Sequence, residues 1–137
     1  MKIEKEIVSG ITIGLDICSG EKPLQDEQLL ERLLRYMAVE VGLRPLKSGM
    51  VSFPVPVIDE SSGHGVGQTG LSMFIPLVES HASVHAWPEK GYARIELSSC
   101  KPIDWHKLVD LVDYCQFGRV IAVQTMDWFN FKKEVEK

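Results

Sequence analysis

The chain predicts an α+β two-layer sandwich, a largely antiparallel sheet with two helices packed on one face. Two kinds of pattern lead there. Short stretches rich in β-branched residues are bounded by Gly, Pro and Ser, as strands are. Two longer stretches instead repeat their apolar residues at the helical period. At 137 residues, with 45% hydrophobic and 25% charged content, the chain can bury a core without disulfide or metal staples. No internal repeat or linker divides it, so residues 1–137 are taken as one domain.

Ile7 to Ile17, closed by Cys18, Ser19 and Gly20, predicts a first strand. Pro23, Asp26 and Glu27 open a helix whose Leu30, Leu33, Leu34, Met37 and Val41 form one apolar stripe, ended by Gly42 and Pro45. From Met50 to Gly70 prolines and glycines predict a short strand and then a flexible loop. Strands follow over Leu71 to Val78, Ala82 to Trp87 and Tyr92 to Leu97, the last two joined by a turn at Pro88 to Gly91. Asp104 caps a second helix bearing Leu108, Leu111 and Val112 and ending near Gly118. Arg119 to Val123 predicts the last strand, and a charged tail from Lys132 is expected to fray.

Fifteen basic and nineteen acidic residues leave a net charge of -4 without a basic run, so a nucleic-acid surface is not indicated. No apolar run reaches the roughly 20 residues of a membrane helix, and Met1 to Val8 lacks a signal-peptide core. Cys18, Cys100 and Cys115 form no metal-ligand pattern, so no metal site is indicated, and their odd number suits a reduced, cytoplasmic setting.

The reactive side chains gather in Glu79-Ser80-His81-Ala82-Ser83-Val84-His85-Ala86-Trp87-Pro88-Glu89, with Cys100 beyond. Taken singly these are ordinary residues: a serine in a turn, a satisfied histidine, a small buried thiol. Together, the string Glu79 to Tyr92, a cysteine twenty residues after Ser80, and Gly70-Leu71-Ser72 eight residues before it resemble the prokaryotic S-adenosylmethionine decarboxylases, pyruvoyl-dependent and self-processing enzymes.

The resemblance implies that the chain is a precursor cut between Glu79 and Ser80 into a β chain of residues 1–79 and an α chain of residues 80–137. Ser80 Oγ would attack the Glu79 carbonyl in an N-to-O acyl shift, and elimination would leave a pyruvoyl group made from Ser80. Ser72 would stabilise the tetrahedral species, and His85 would remove the α-proton of Ser80. Histidine suits that step because it titrates near neutral pH. In the second reaction the pyruvoyl ketone would condense with a substrate amine and accept electrons as carbon dioxide leaves. Cys100 would return a proton to the α-carbon, and Glu89 would hold the ribose hydroxyls.

The implied product is the aminopropyl donor for spermidine biosynthesis. A pyruvoyl enzyme for another amino acid, arginine or ornithine, is the second reading, and an unprocessed ligand-binding relative the third. The family's stacking aromatic, six residues before Ser72, is here Val66. A homodimer with active sites near or across its interface is also implied. His81 and Ser83 are assigned no chemical step. If Ser80 to His85 were a regular strand, five residues would put the two side chains on opposite faces, which predicts a turn or bulge at the serine.

Overall fold

A computed structural model of the chain describes residues 2–47, 51–58, 65–128 and 131–136. Eight strands and three helices follow one another as β1 (Lys2–Val8), β2 (Ile11–Cys18), α1 (Glu21–Gln25), α2 (Glu27–Glu40), β3 (Val51–Ile58), β4 (Gly65–Leu77), β5 (Ser80–Trp87), β6 (Tyr92–Ser99), α3 (Trp105–Tyr114), β7 (Arg119–Asp127) and β8 (Phe131–Glu136). Six strands make one antiparallel sheet in the order β3-β4-β5-β6-β2-β7. The helices pack on one face of it, so the predicted two-layer α+β class holds, with the short α1 added to the two expected helices.

Period-two alternation makes the core. Ile13, Leu15 and Ile17 of β2, Ala82, Val84 and Ala86 of β5, and Ala93, Ile95 and Leu97 of β6 are buried toward the helices. They meet Leu30, Leu33, Leu34, Met37 and Ala38 of α2 and Leu108 and Val112 of α3. Both long helices start on aspartates that satisfy a first-turn amide: Asp26 Oδ1 accepts from Leu29 N at 3.0 Å, and Asp104 Oδ1 from His106 N at 3.1 Å. Gly42, at φ +82°, ends the path out of α2.

Four expectations are corrected. The strand expected over Ile7 to Ile17 is two, broken at Ser9 and Gly10, where Trp128 N donates to Gly10 O and the Trp128 ring leaves no room for a Cβ at position 10. Gly65 to Gly70 is strand, not loop, because β4 runs on past the reach of β5 and pairs with β3; Asp59 to His64 lie outside the described residues. Pro54 and Pro56 are accommodated because β3 is an edge strand with irregular register. The tail from Lys132 is not frayed, since β8 pairs with β1 in a separate two-stranded ribbon, and β7 extends to Asp127.

Candidate active site

The β4–β5 hairpin turns on Val78 and Glu79, with Leu77 facing Ser80 across the ladder. Two-residue hairpins ordinarily use turns whose first central residue has positive φ. Here the second one does: Glu79 has φ +61° and Val78 is not among the positive-φ residues. That pattern belongs to a type II turn, which wants Gly or Asn at the place Glu79 occupies. A side chain held there costs about 1–2 kcal/mol. The strain falls on the acyl side of the Glu79–Ser80 bond.

Ser80 opens β5 without a bulge, since β5 keeps continuous register with β4 and with β6. The bulge expected at this serine is therefore absent: it sits beside the turn but inside the ladder. It shares the parity of Ala82 and Val84, so its side chain enters the helix-facing layer. Its hydroxyl oxygen is buried and has no hydrogen-bond partner among the described residues, an arrangement that costs about 1–3 kcal/mol. A buried hydroxyl thus adjoins the strained acyl group of Glu79.

Cys100 arrives by pairing. Ser80 faces Ser99 at the end of β6, so one step beyond the ladder Glu79 and Cys100 come opposite each other. The Cys100 thiol donates to Glu79 Oε2 at 3.4 Å, and the carboxylate's hydrogen bond, with partial burial behind it, pushes the thiol above its ordinary range. Ser99 Oγ accepts from Lys101 N at 2.9 Å and shapes the bend that follows. Beside the thiol lies an open hollow of about 140 Å³ lined by Ser9, Gly10, Ile11, Cys100, Lys101 and Pro102. Ligand pockets usually run to about 300 Å³ or more, so this hollow would take only part of a drug-sized molecule.

Ser72 and His85 form a second cluster. They are cross-strand partners on the sheet face away from the helices, with Ser72 Oγ and His85 Nδ1 2.7 Å apart. Ser72 is buried, whereas His85 is exposed. Five residues of extended strand separate His85 from Ser80, roughly 16 Å, and the two side chains leave opposite faces. Glu89 is farther still, exposed on the single 3-10 turn Pro88–Lys90 that joins β5 to β6. That turn is shaped by Pro88, by Gly91 at φ +63° and by Trp87 stacked on Tyr92 at 5.5 Å. Within one chain, then, Glu79, Ser80 and Cys100 are brought together and Ser72 and His85 are brought together, but the two groups are not joined. His81 stacks on Phe74 at 5.3 Å. The side chain of Val66 lies outside the described residues.

The same outer face carries a network that the sequence reading missed. Arg94, directly opposite His85, donates to Asp16 Oδ1 at 3.1 Å and to Glu96 Oε1 at 3.2 Å, and it also meets Gln124. Gln124 Nε2 donates to Asp16 Oδ2 at 3.0 Å, and the Tyr92 hydroxyl donates to Asp16 Oδ1. The Tyr92 bond first, then those from Gln124 and Arg94, hold the Asp16 carboxyl below its ordinary value against partial desolvation. Gly14 makes the arrangement possible, since a Cβ there would fall 2.2 Å from the guanidinium. The available signal was the polar alternation of Tyr92, Arg94 and Glu96 against Ala93, Ile95 and Leu97. Among the described residues no group of three His, Cys, Asp or Glu side chains could hold a metal ion, and no helix is long and apolar enough to cross a membrane.

Comparisons with known proteins converge on one family. A model of the S-adenosylmethionine decarboxylase family matches residues 11–120. An S-adenosylmethionine decarboxylase proenzyme of Prochlorococcus marinus is 50% identical over 86 residues, covering 63% of this chain and 61% of that protein. One from Acetivibrio thermocellus is 27% identical over 77 residues, covering 56% and 52%. One from Thermococcus onnurineus is 44% identical over 45 residues, 32% of each chain. The chain thus matches these relatives over less than two thirds of their length. The crystal structure of an adenosylmethionine decarboxylase from Aquifex aeolicus superposes with a TM-score of 0.59 at 17% identity, covering 88% of this chain and 89% of that one, and shares the fold.

Proposed function

Because the chain belongs to the S-adenosylmethionine decarboxylase family, we propose that it is a proenzyme that cuts itself between Glu79 and Ser80 and then decarboxylates S-adenosylmethionine. The supporting observation is the turn itself, where a left-handed Glu79 adjoins a buried Ser80 hydroxyl without a hydrogen-bond partner among the described residues. Ser80 Oγ attacks the Glu79 carbonyl, the C–N bond breaks, and an ester replaces the amide. Removal of the Ser80 α-proton expels the Glu79 carboxylate. Water then replaces the freed nitrogen as ammonia, leaving a pyruvoyl group at residue 80. The strain at Glu79 speeds this by about tenfold for each 1.4 kcal/mol it lifts the starting amide, so most of the acceleration must come from groups that stabilise the oxyanion.

The pyruvoyl group supplies the electron-accepting carbonyl for decarboxylation. Cys100 stands next to residue 80 and holds the proton that returns to the substrate's α-carbon. The product serves as aminopropyl donor in spermidine synthesis.

The active site is completed by a homodimer. Ser72 and His85 lie on the sheet face away from the helices and roughly 16 Å along β5 from their own Ser80, too far to serve it. A two-fold axis between two such faces, running across the strands, turns the 79–80 end of one hairpin toward the 85–89 end of the other. Ser72 and His85 of one chain then reach the 79–80 backbone of the other from its outer side, Ser72 at the Glu79 carbonyl and His85 at the Ser80 α-proton, with Glu89 at the ribose.

Intact mass after denaturation tests the cleavage. Two species are expected, residues 1–79 and a pyruvoyl-blocked 80–137; a single species that stays uncut would overturn it. Carbon dioxide release should be compared for S-adenosylmethionine, arginine and ornithine, and release only from one of the last two would transfer the chemistry to that substrate.

A further inference from the structure

Glu79 does more than supply the carbonyl that is cut. Its side chain turns back to Cys100 across the end of the sheet, the thiol donating to Oε2 at 3.4 Å over a sequence separation of 21 residues. We propose that Glu79 is a positioning residue for Cys100: its carboxylate orients the thiol and keeps the proton on sulfur, so that Cys100 meets the substrate as an acid and not as a thiolate. This rests on the decarboxylase reading above.

The contact is built by the ladder. Ser80 facing Ser99 is the last pair between β5 and β6, so residues 79 and 100 emerge side by side. The left-handed backbone at Glu79 sets the direction in which its side chain leaves the turn. One negative charge at hydrogen-bond range opposes a second on sulfur. Partial burial acts in the same direction, while Lys101 and a backbone hydrogen bond act against it; the other residues around the adjoining hollow, Ser9, Gly10, Ile11 and Pro102, carry no side-chain charge.

The chemistry gives this a purpose. An ordinary thiol, with a pKa near 8.5, is a few per cent thiolate at pH 7, and the thiolate is the nucleophile. Close to an electrophilic carbonyl and a sulfonium substrate, that fraction invites alkylation, whereas the neutral thiol can only give up its proton.

The test uses the full chain carrying Ser80→Ala, which cannot cleave. Its three cysteines are alkylated with iodoacetamide across a pH series and quantified peptide by peptide by mass spectrometry. Adding Glu79→Gln, which keeps the shape and an acceptor oxygen but removes the charge, should move the Cys100 profile to lower pH and raise its rate at pH 7 by about threefold or more. Cys18 and Cys115 serve as internal references and should not move. Glu79→Asp, whose shorter side chain withdraws the carboxylate, should shift Cys100 in the same direction and decides the matter if the glutamine variant does not fold. Unchanged Cys100 profiles would overturn the proposal and leave self-cleavage and decarboxylation untouched. Failure of the parent chain to cleave would leave this readout intact.

Discussion

The two ends of β5 are made of similar residues and solve opposite problems. At the Glu79 end, Ser80 and Cys100 are twenty residues apart in sequence yet become neighbours, because β5 and β6 are antiparallel and pair Ser80 with Ser99. Toward the Glu89 end, His85 is five residues from Ser80 in the same strand and ends up far away and on the other face. Sequence proximity thus misleads where sequence distance does not: an odd step along an extended strand changes sides, while a hairpin returns a distant residue to its place. The turn end holds a strained backbone and an unpaired hydroxyl; the other end holds a satisfied pair and a dense ionic network.

Breaking each end should break a different step. Cys100→Ala is expected to leave the 1–79 and 80–137 fragments forming while lowering decarboxylation by about 100-fold or more, whereas His85→Ala should slow the cleavage itself by a similar factor. Fragment appearance followed by mass against time, beside carbon dioxide release, separates the two. Equal turnover of Cys100→Ala and parent enzyme would remove the proton-donor role.

The proposed division of the site between two chains predicts a smaller but more discriminating effect. Co-expressing His85→Ala with Cys100→Ala should restore activity to about a quarter of the parent level, because half the dimers are mixed and each mixed dimer has one intact site. No gain over the single variants would mean that each site is built within one chain, and β5 would then have to leave its present register.

The least effect belongs to the outer-face network. Asp16→Asn should lower stability by about 1 kcal/mol at pH 7, read as a fall in melting temperature. Its sign with pH follows from the Asp16 carboxyl being held below its ordinary value of 3.8, chiefly by the Tyr92 hydroxyl. The contribution is present in full above that value and disappears as pH falls through the depressed one, so parent and variant should converge in strong acid. A difference that persists once the Asp16 carboxyl is protonated in both states would assign the loss to packing.

Much of the fold was legible along the chain. Leu30, Leu33, Leu34 and Met37 announced α2, Asp26 announced its start and Asp104 the cap of α3, and Ala93, Ile95 and Leu97 announced the buried side of β6. These are short-range signals, set by helical and strand periods and by unsatisfied first-turn amides. The glycines from 65 to 70 misled because a glycine-rich segment becomes strand once a neighbour offers a ladder, as β3 does. The tail misled because only a distant partner, β1, gives its alternating charges a sheet to join.

By itself the sequence determined the class of the fold, the family, and which side chains carry reactive groups, since these depend on residue type and spacing. Tertiary structure decided which of those side chains meet. Register set Cys100 against Glu79, strand parity sent His85 to the uncovered face, and the room left at Gly14 let Arg94 lie across it. Such outcomes depend on pairing between strands far apart in the chain, which no local pattern encodes.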